Sequence, residues 1–144
     1  NKKGDILNLN QKIYKRFYKF NDFQFIAIGT KEINMQVENL VAQLQLGTNT
    51  EMTKWFFLLQ ESKYSKNLFE SLGTDLKLDE FHGSPYVFII DKKGFLRGRN
   101  DSDGIKFGYD MRSVAELNNY MVDDVKIILA EYRLALKKNN ILDN

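Results

Sequence analysis

The stretch from His82 to Arg99, H-G-S-P-Y-V-F-I-I-D-K-K-G-F-L-R-G-R, constrains the fold more than any other part of the chain. Tyr86 to Ile90 form an unbroken apolar run of aromatic and β-branched residues, which reads as a buried strand. Asp91-Lys92-Lys93-Gly94 turns the chain, with glycine where a positive φ is needed, and Phe95-Leu96 opens a second strand. Pro85, the only proline, has no N–H to give to a ladder and so belongs at the start of the first strand. The expectation is an antiparallel hairpin with Val87 and Ile89 on one face and Phe88 and Ile90 on the other. Because the run is apolar throughout, helices should cover both faces.

The rest of the chain alternates helical and extended patterns. Leu7 to Phe20 carries Leu9, Ile13, Phe17 and Phe20 at helical spacing, with Asn8 or Asn10 available as a cap. Its other side carries Lys12, Lys15, Arg16 and Lys19, a basic face that suits solvent, an acidic partner or anionic lipid. Phe23 to Gly29 reads as an interior parallel strand. Lys31 to Leu46 reads as a helix stopped by Gly47. Trp55 to Leu59 is the next strand, and Ser62 to Leu72 a short helix with Tyr64, Leu68 and Leu72 in register, closed by Gly73. Thr74 to Phe81 is a loop, and Asn100 to Arg112, rich in Asp and Gly, reads as irregular. Ser113 and Glu116 make a capping box for a long helix whose apolar stripe reaches about Leu136. Lys137 and Lys138 sit where the helix dipole favours cations, and Asn139 to Asn144 should fray. Strands alternating with helices, then a hairpin and a helix, indicate one α/β domain with a parallel part and an antiparallel edge.

Composition excludes several classes of function. The 144 residues contain no cysteine, which removes disulfides, thiolate nucleophiles and thiolate metal sites together. With a single histidine, His82, a zinc site would have to be carboxylate-rich. A net charge of +2 is too small to imply nucleic acid without a concentrated patch. No apolar run is long enough to span a membrane, and the opening Asn1-Lys2-Lys3-Gly4-Asp5 is not a signal peptide. Asp101-Ser102-Asp103-Gly104 and Asp110 look like the start of a calcium loop, but Arg112 stands where that loop needs its bidentate glutamate. Lys31-Glu32 after Gly29-Thr30 lacks the Gly-rich fingerprint of a phosphate turn.

The strand at Phe23 to Thr30, the segment T-K-W-F-F-L-L, the hairpin G-S-P-Y-V-F-I-I-D-K-K-G-F-L-R-G-R and the final helix V-A-E-L-N-N-Y-M-V-D-D-V-K-I-I-L-A-E-Y together resemble the SCO/SenC family. The resemblance runs over most of the chain, and the I-D-x-x-G-x-x-R-G hairpin is its most specific part. It implies a thioredoxin-like α/β fold: a mixed sheet with helices on both faces and a C-terminal hairpin plus long helix, in one domain over residues 1–144. Gly83 and Pro85 would then be structural residues at the thioredoxin-like site, with a cis Ser84–Pro85 bond. The family binds copper through a C-x-x-x-C pair and one histidine before the hairpin, and helps build the dinuclear copper centre of cytochrome oxidase. His82 lies close to that histidine's position, one residue further from the turn, and is the weak metal candidate. The cysteines, expected near Gly4 and at or before Asn1, are absent. The strand that precedes them in the family also has no counterpart after Asn1.

The resulting expectation is a non-catalytic binding or assembly module with a protein partner, no nucleic acid and no cofactor, copper entering only through the resemblance. Lys12, Lys15, Arg16 and Lys19 are the candidate partner surface. The resemblance implies an exported protein, periplasmic or on the outer face of the inner membrane and associated with a respiratory membrane through a segment outside this chain. Two alternatives stand beside it. One is a copper chaperone or thiol-disulfide oxidoreductase whose cysteines lie outside the chain; the other is a structural subunit of a respiratory complex.

Overall fold

A computed structural model describes residues 2–142, with side chains at all of these except Lys2, Asn34, Met35, Ile141 and Leu142. Helix α1 (Lys2–Leu9), a π-turn (Asn10–Tyr14) and α2 (Lys15–Phe17) follow one another without a break. The helix therefore starts before Asn8 and Asn10, and neither residue caps it. Leu9, Ile13 and Phe17 are buried as the spacing requires, whereas Phe20 is 40% exposed. Asn10 and Tyr14 are buried as well, and with Ile13 and Phe17 they keep the i, i+3, i+4, i+7 spacing of one helical face through the π-turn.

Strand β1 (Phe25–Thr30) leads through a 3₁₀ turn (Lys31–Ile33) and α3 (Asn34–Thr48) to β2 (Trp55–Gln60). The two strands pair in parallel, from Phe25 opposite Trp55 to Thr30 opposite Gln60. Gly47 does not stop α3. The helix ends where Asn49 enters the left-handed region at φ 51° and its N–H reaches the Gln45 carbonyl at 2.8 Å. Asparagine tolerates that conformation and serves here as glycine would. Helix α4 (Ser62–Ser71) ends before Gly73, which has φ +69°. Its packing residue is Phe69, edge-on to Phe88 at 5.9 Å, while Tyr64 and Leu68 remain largely exposed.

The expected strand at Tyr86 to Ile90 forms as β3 (Tyr86–Val87) and β4 (Ile89–Ile90), interrupted at Phe88. Beyond the turn at Gly94, β4 pairs with β5 (Leu96–Arg97) in the expected antiparallel hairpin. The region read as irregular holds a second hairpin, β6 (Arg99–Asp101) with β7 (Gly104–Lys106), followed by β8 (Tyr109–Asp110), which pairs with β3. Its turn is closed by the Asp103 N–H on Asp101 Oδ1 at 2.8 Å, so the acidic cluster acts as turn chemistry. Gly98 sits where a Cβ would collide with the Lys106 carbonyl, and glycine is what lets β7 approach. All described peptide bonds, including Ser84–Pro85, are trans, against the expected cis bond. The sharp reversal is made upstream instead, where His82 takes a positive φ of 59°.

Helix α5 (Val114–Glu116), a π-turn (Leu117–Met121) and α6 (Val122–Leu142) complete the chain. Ser113 caps as expected, its Oγ accepting from the Glu116 N–H at 3.1 Å. The Glu116 carboxylate does not return the bond: it accepts from the Asp110 N–H at 2.7 Å and from Lys106. Helix α6 passes Leu136 because no glycine or proline follows, so Asn139 and Asn140 are helical; Asp143 and Asn144 lie outside the described residues.

The molecule is thus mixed α/β with a long C-terminal helix. Among the described residues the strands form four two-stranded ladders, where one mixed sheet is expected. One core gathers Leu9, Ile13, Tyr14 and Phe17 from the first helical segment, Phe25 and Trp55 from β1 and β2, and Leu117, Met121, Val125 and Leu129 from the last. Ala27, Phe57, Val87 and Ile89 pack onto this core from the strands.

Candidate functional site

His82, Gly83 and Pro85 lie together in a loop built by Asp79. The Asp79 carboxylate Oδ1 accepts from the Phe81 N–H at 2.9 Å and the Gly83 N–H at 2.8 Å. The Asp79 N–H donates to the Gly83 carbonyl and the His82 N–H to the Asp79 carbonyl, closing a tight turn. The turn displays Phe81 and His82 to solvent, with Phe81 75% exposed. Pro85 then hands the chain to β3, its carbonyl accepting from the Met111 N–H at 2.9 Å.

The resemblance implies copper at this place, and the residues present do not fit it. The family's site holds copper(I) with two thiolates, there is no cysteine to supply them, and the carboxylate beside His82 already serves two backbone N–H groups. Among the described residues no group of three or more His, Cys, Asp or Glu side chains is placed to hold a metal ion.

The basic residues occupy a different surface. Lys15, Arg16 and Lys19 are exposed and Lys12 half-buried, and none of the four makes an ion pair with a described carboxylate. The same helical segment holds Asn10, whose role differs from the cap that the sequence suggests. Asn10 is fully buried; its amide donates to the Leu44 carbonyl at 3.0 Å and to Thr48 at 3.3 Å, and its Oδ1 accepts from Trp55 Nε1 at 3.0 Å. Tyr14 beside it donates its hydroxyl to the Glu51 carbonyl at 2.7 Å, and burial raises its pKa. The signal for Asn10 was available: a polar residue inside an apolar helical stripe, in a chain whose one tryptophan needs a buried acceptor.

A second polar cluster joins the C-terminal helix to the hairpins. Arg99 makes a two-pronged contact with Asp124 at 3.0 and 3.3 Å and lies 4.4 Å from the Tyr120 ring. The Tyr109 hydroxyl donates to the same carboxylate at 2.7 Å. Burial, followed by that carboxylate, raises the Tyr109 pKa well above the usual phenol range. Arg97 likewise clasps Glu131 at 2.8 and 2.9 Å, and this contact lowers the glutamate's pKa. The open cleft beside Arg99, of about 370 Å³, is lined by Lys106, Glu116 and Tyr120 among others. Its cations are already engaged, Arg99 by Asp124 and Lys106 by Glu116. These groups hold elements together and leave no nucleophile and base poised over an empty space.

The most unusual surface is the outer face of the β1–β2 ladder. Phe25, Ala27, Trp55 and Phe57 face the core, so alternation sends Ile26, Ile28, Phe56 and Leu58 outward. Ile26 stands opposite Phe56 and Ile28 opposite Leu58, and all four are 44 to 58% exposed. Both strands read as interior from their near-continuous apolar sequence, yet only one face is interior. Comparison with protein-family models, with curated proteins and with solved structures gives no match to this chain.

Proposed function

We propose that the chain is a non-catalytic binding or assembly module of the thioredoxin-like class, similar to SCO/SenC proteins and acting beside a respiratory membrane after export. The observation that carries the reading is the contiguous apolar outer face of Ile26, Ile28, Phe56 and Leu58. A two-strand block of large apolar side chains left in water is costly, and such patches mark interaction sites more often than accident. The order of elements supports the thioredoxin-like class: a parallel strand, helix, strand unit, then an antiparallel hairpin and a long helix. Absence of thiols argues against copper and disulfide chemistry by this chain's own residues. Lys15, Arg16 and Lys19, which have no described ion-pair partner, would add a salt-dependent attraction for an acidic partner.

The test is site-directed photo-crosslinking in the native membrane fraction, with the reactive side chain replacing Phe56 or, as control, Leu134, an exposed apolar residue on α6. A specific adduct from position 56, competed by excess unlabelled protein and absent from position 134, is the expected result. No adduct from position 56, or equal adducts from both positions, contradicts the reading.

A further inference from the structure

The segment Asp101-Ser102-Asp103-Gly104 lacks the full ligand set of a calcium loop, and the structure uses it to turn β6 into β7. Asp101 and Gly104 form the last pair of the ladder, with Ser102 and Asp103 between them as the turn. Every residue from Asn100 to Lys106 is exposed. Asp103-Gly104 is also the chain's only Asp-Gly step, and the chain has no Asn-Gly step. In such a step the peptide nitrogen after the aspartate can close a five-membered ring on the side-chain carboxyl, and glycine puts no side chain in the way.

Among the described aspartates Asp103 alone combines a free carboxylate with a following glycine. Its carboxylate accepts no hydrogen bond and makes no ion pair with a described residue, while its N–H donates to Asp101 Oδ1 at 2.8 Å. Asp22, Asp79, Asp91, Asp110 and Asp124 hold their carboxylates against cations or backbone N–H groups. Asp5, Asp75 and Asp123 precede Ile6, Leu76 and Asp124, whose side chains crowd the attacking nitrogen. A Cβ placed on Gly104 would meet nothing within 4 Å, so no neighbour crowds this peptide either. Ring closure also requires Asp103 to leave its turn geometry. The strands β6 and β7 have three residues each, and the hairpin is gripped at its base, where Arg99 meets Asp124 and Lys106 meets Glu116. Fraying of the Asp101–Gly104 pair therefore costs little and leaves the rest of the fold in place.

We propose that Asp103-Gly104 is a site of spontaneous isoaspartate formation in the folded protein. The Gly104 nitrogen attacks Asp103 Cγ; a C–N bond forms, the carboxyl C–O bond breaks, and the amide proton leaves with the hydroxyl as water. Water then opens the succinimide. Attack at the side-chain carbonyl restores aspartate. Attack at the former main-chain carbonyl leaves the chain running through Cβ and Cγ, with the α-carboxylate free. The two steps release and take up the same water, so no oxidant, reductant or other reactant is needed. The product carries an extra methylene in the backbone of a two-residue turn, which breaks the Asp101–Gly104 register. It also reshapes the rim of the open cleft of about 400 Å³ that Asp101, Asp103 and Ile105 help to line.

The test follows the full chain beside a synthetic peptide N-D-S-D-G-I-K, the sequence of residues 100–106, at neutral pH and physiological temperature. Trypsin releases the same segment from the protein, between Arg99 and Phe107. Chromatography separates the isomeric peptides, and electron-transfer fragmentation locates the isoaspartate. It should accumulate at position 103 of the folded chain, and not at 101, at a rate within about tenfold of the free peptide's, because the tip opens locally. Asp103→Glu, which would have to close a less favourable six-membered ring, should abolish the converted species. A folded-chain rate further below the peptide's means that the hairpin holds the step closed, and it overturns the proposal. So does equal conversion at Asp101, or a converted species that persists in Asp103→Glu.

Discussion

Asn10 ties three segments together from a buried position. Replacing it with alanine leaves the indole N–H of Trp55 buried without its acceptor and opens a small void. Asn10→Ala should cost about 2 to 4 kcal/mol in urea unfolding, more than a surface hydrogen bond is worth. Tyr109 gives a pH signature. Its phenol is held protonated by burial and by Asp124, so its folded pKa lies above its unfolded value near 10. Folding then binds the proton more tightly, and the associated stability is present below pH of about 10 and lost as pH rises beyond it. Tyr109→Phe should flatten the alkaline fall in Tm without altering the profile near neutrality. Asn10 carries a signal in the sequence, a polar residue within an apolar helical stripe, whereas Tyr109 carries none. Asn10 suits a cap only for a helix that starts after it, and Tyr109 falls in a stretch rich in Asp and Gly that shows no apolar period.

At the scale of elements, those with strong periodicity were legible and those set by tertiary contacts were not. The strands β1 and β2, the helix α4 and the hairpin turn at Gly94 stand close to where their apolar runs and turn residues put them. The cap at Ser113 is present too, and Ser113→Ala should cost about 1 kcal/mol, read as a shift in the denaturant midpoint with an unchanged slope. What the pattern missed are the two π-turns, the hairpin of β6 and β7, and the interruption at Phe88. A π-turn leaves the apolar spacing of three and four in place and has no residue type of its own. The hairpin holds a single apolar side chain, Ile105, and so shows no alternation, and Phe88 meets Phe69 and the close approach of Gly108, which lie far from it in sequence.

At the scale of the whole molecule, the candidate site divides in the same way. The loop of His82, Gly83 and Pro85 and the basic residues Lys12, Lys15, Arg16 and Lys19 could be singled out from the sequence, but the structure places them on separate surfaces and builds no reactive constellation from either. The exposed face of Ile26, Ile28, Phe56 and Leu58 was hidden, because an apolar strand covered on both faces and one covered on a single face have the same composition. The central claim is that this chain works by contact and not by copper chemistry. Competition titration of the protein against a copper(I) chelator, with His82→Ala alongside, tests it most directly. One imidazole cannot match thiolate ligands for this soft ion, so both proteins should surrender the metal to the chelator equally. Stoichiometric retention of copper(I) by the wild type, lost in His82→Ala, would contradict the account.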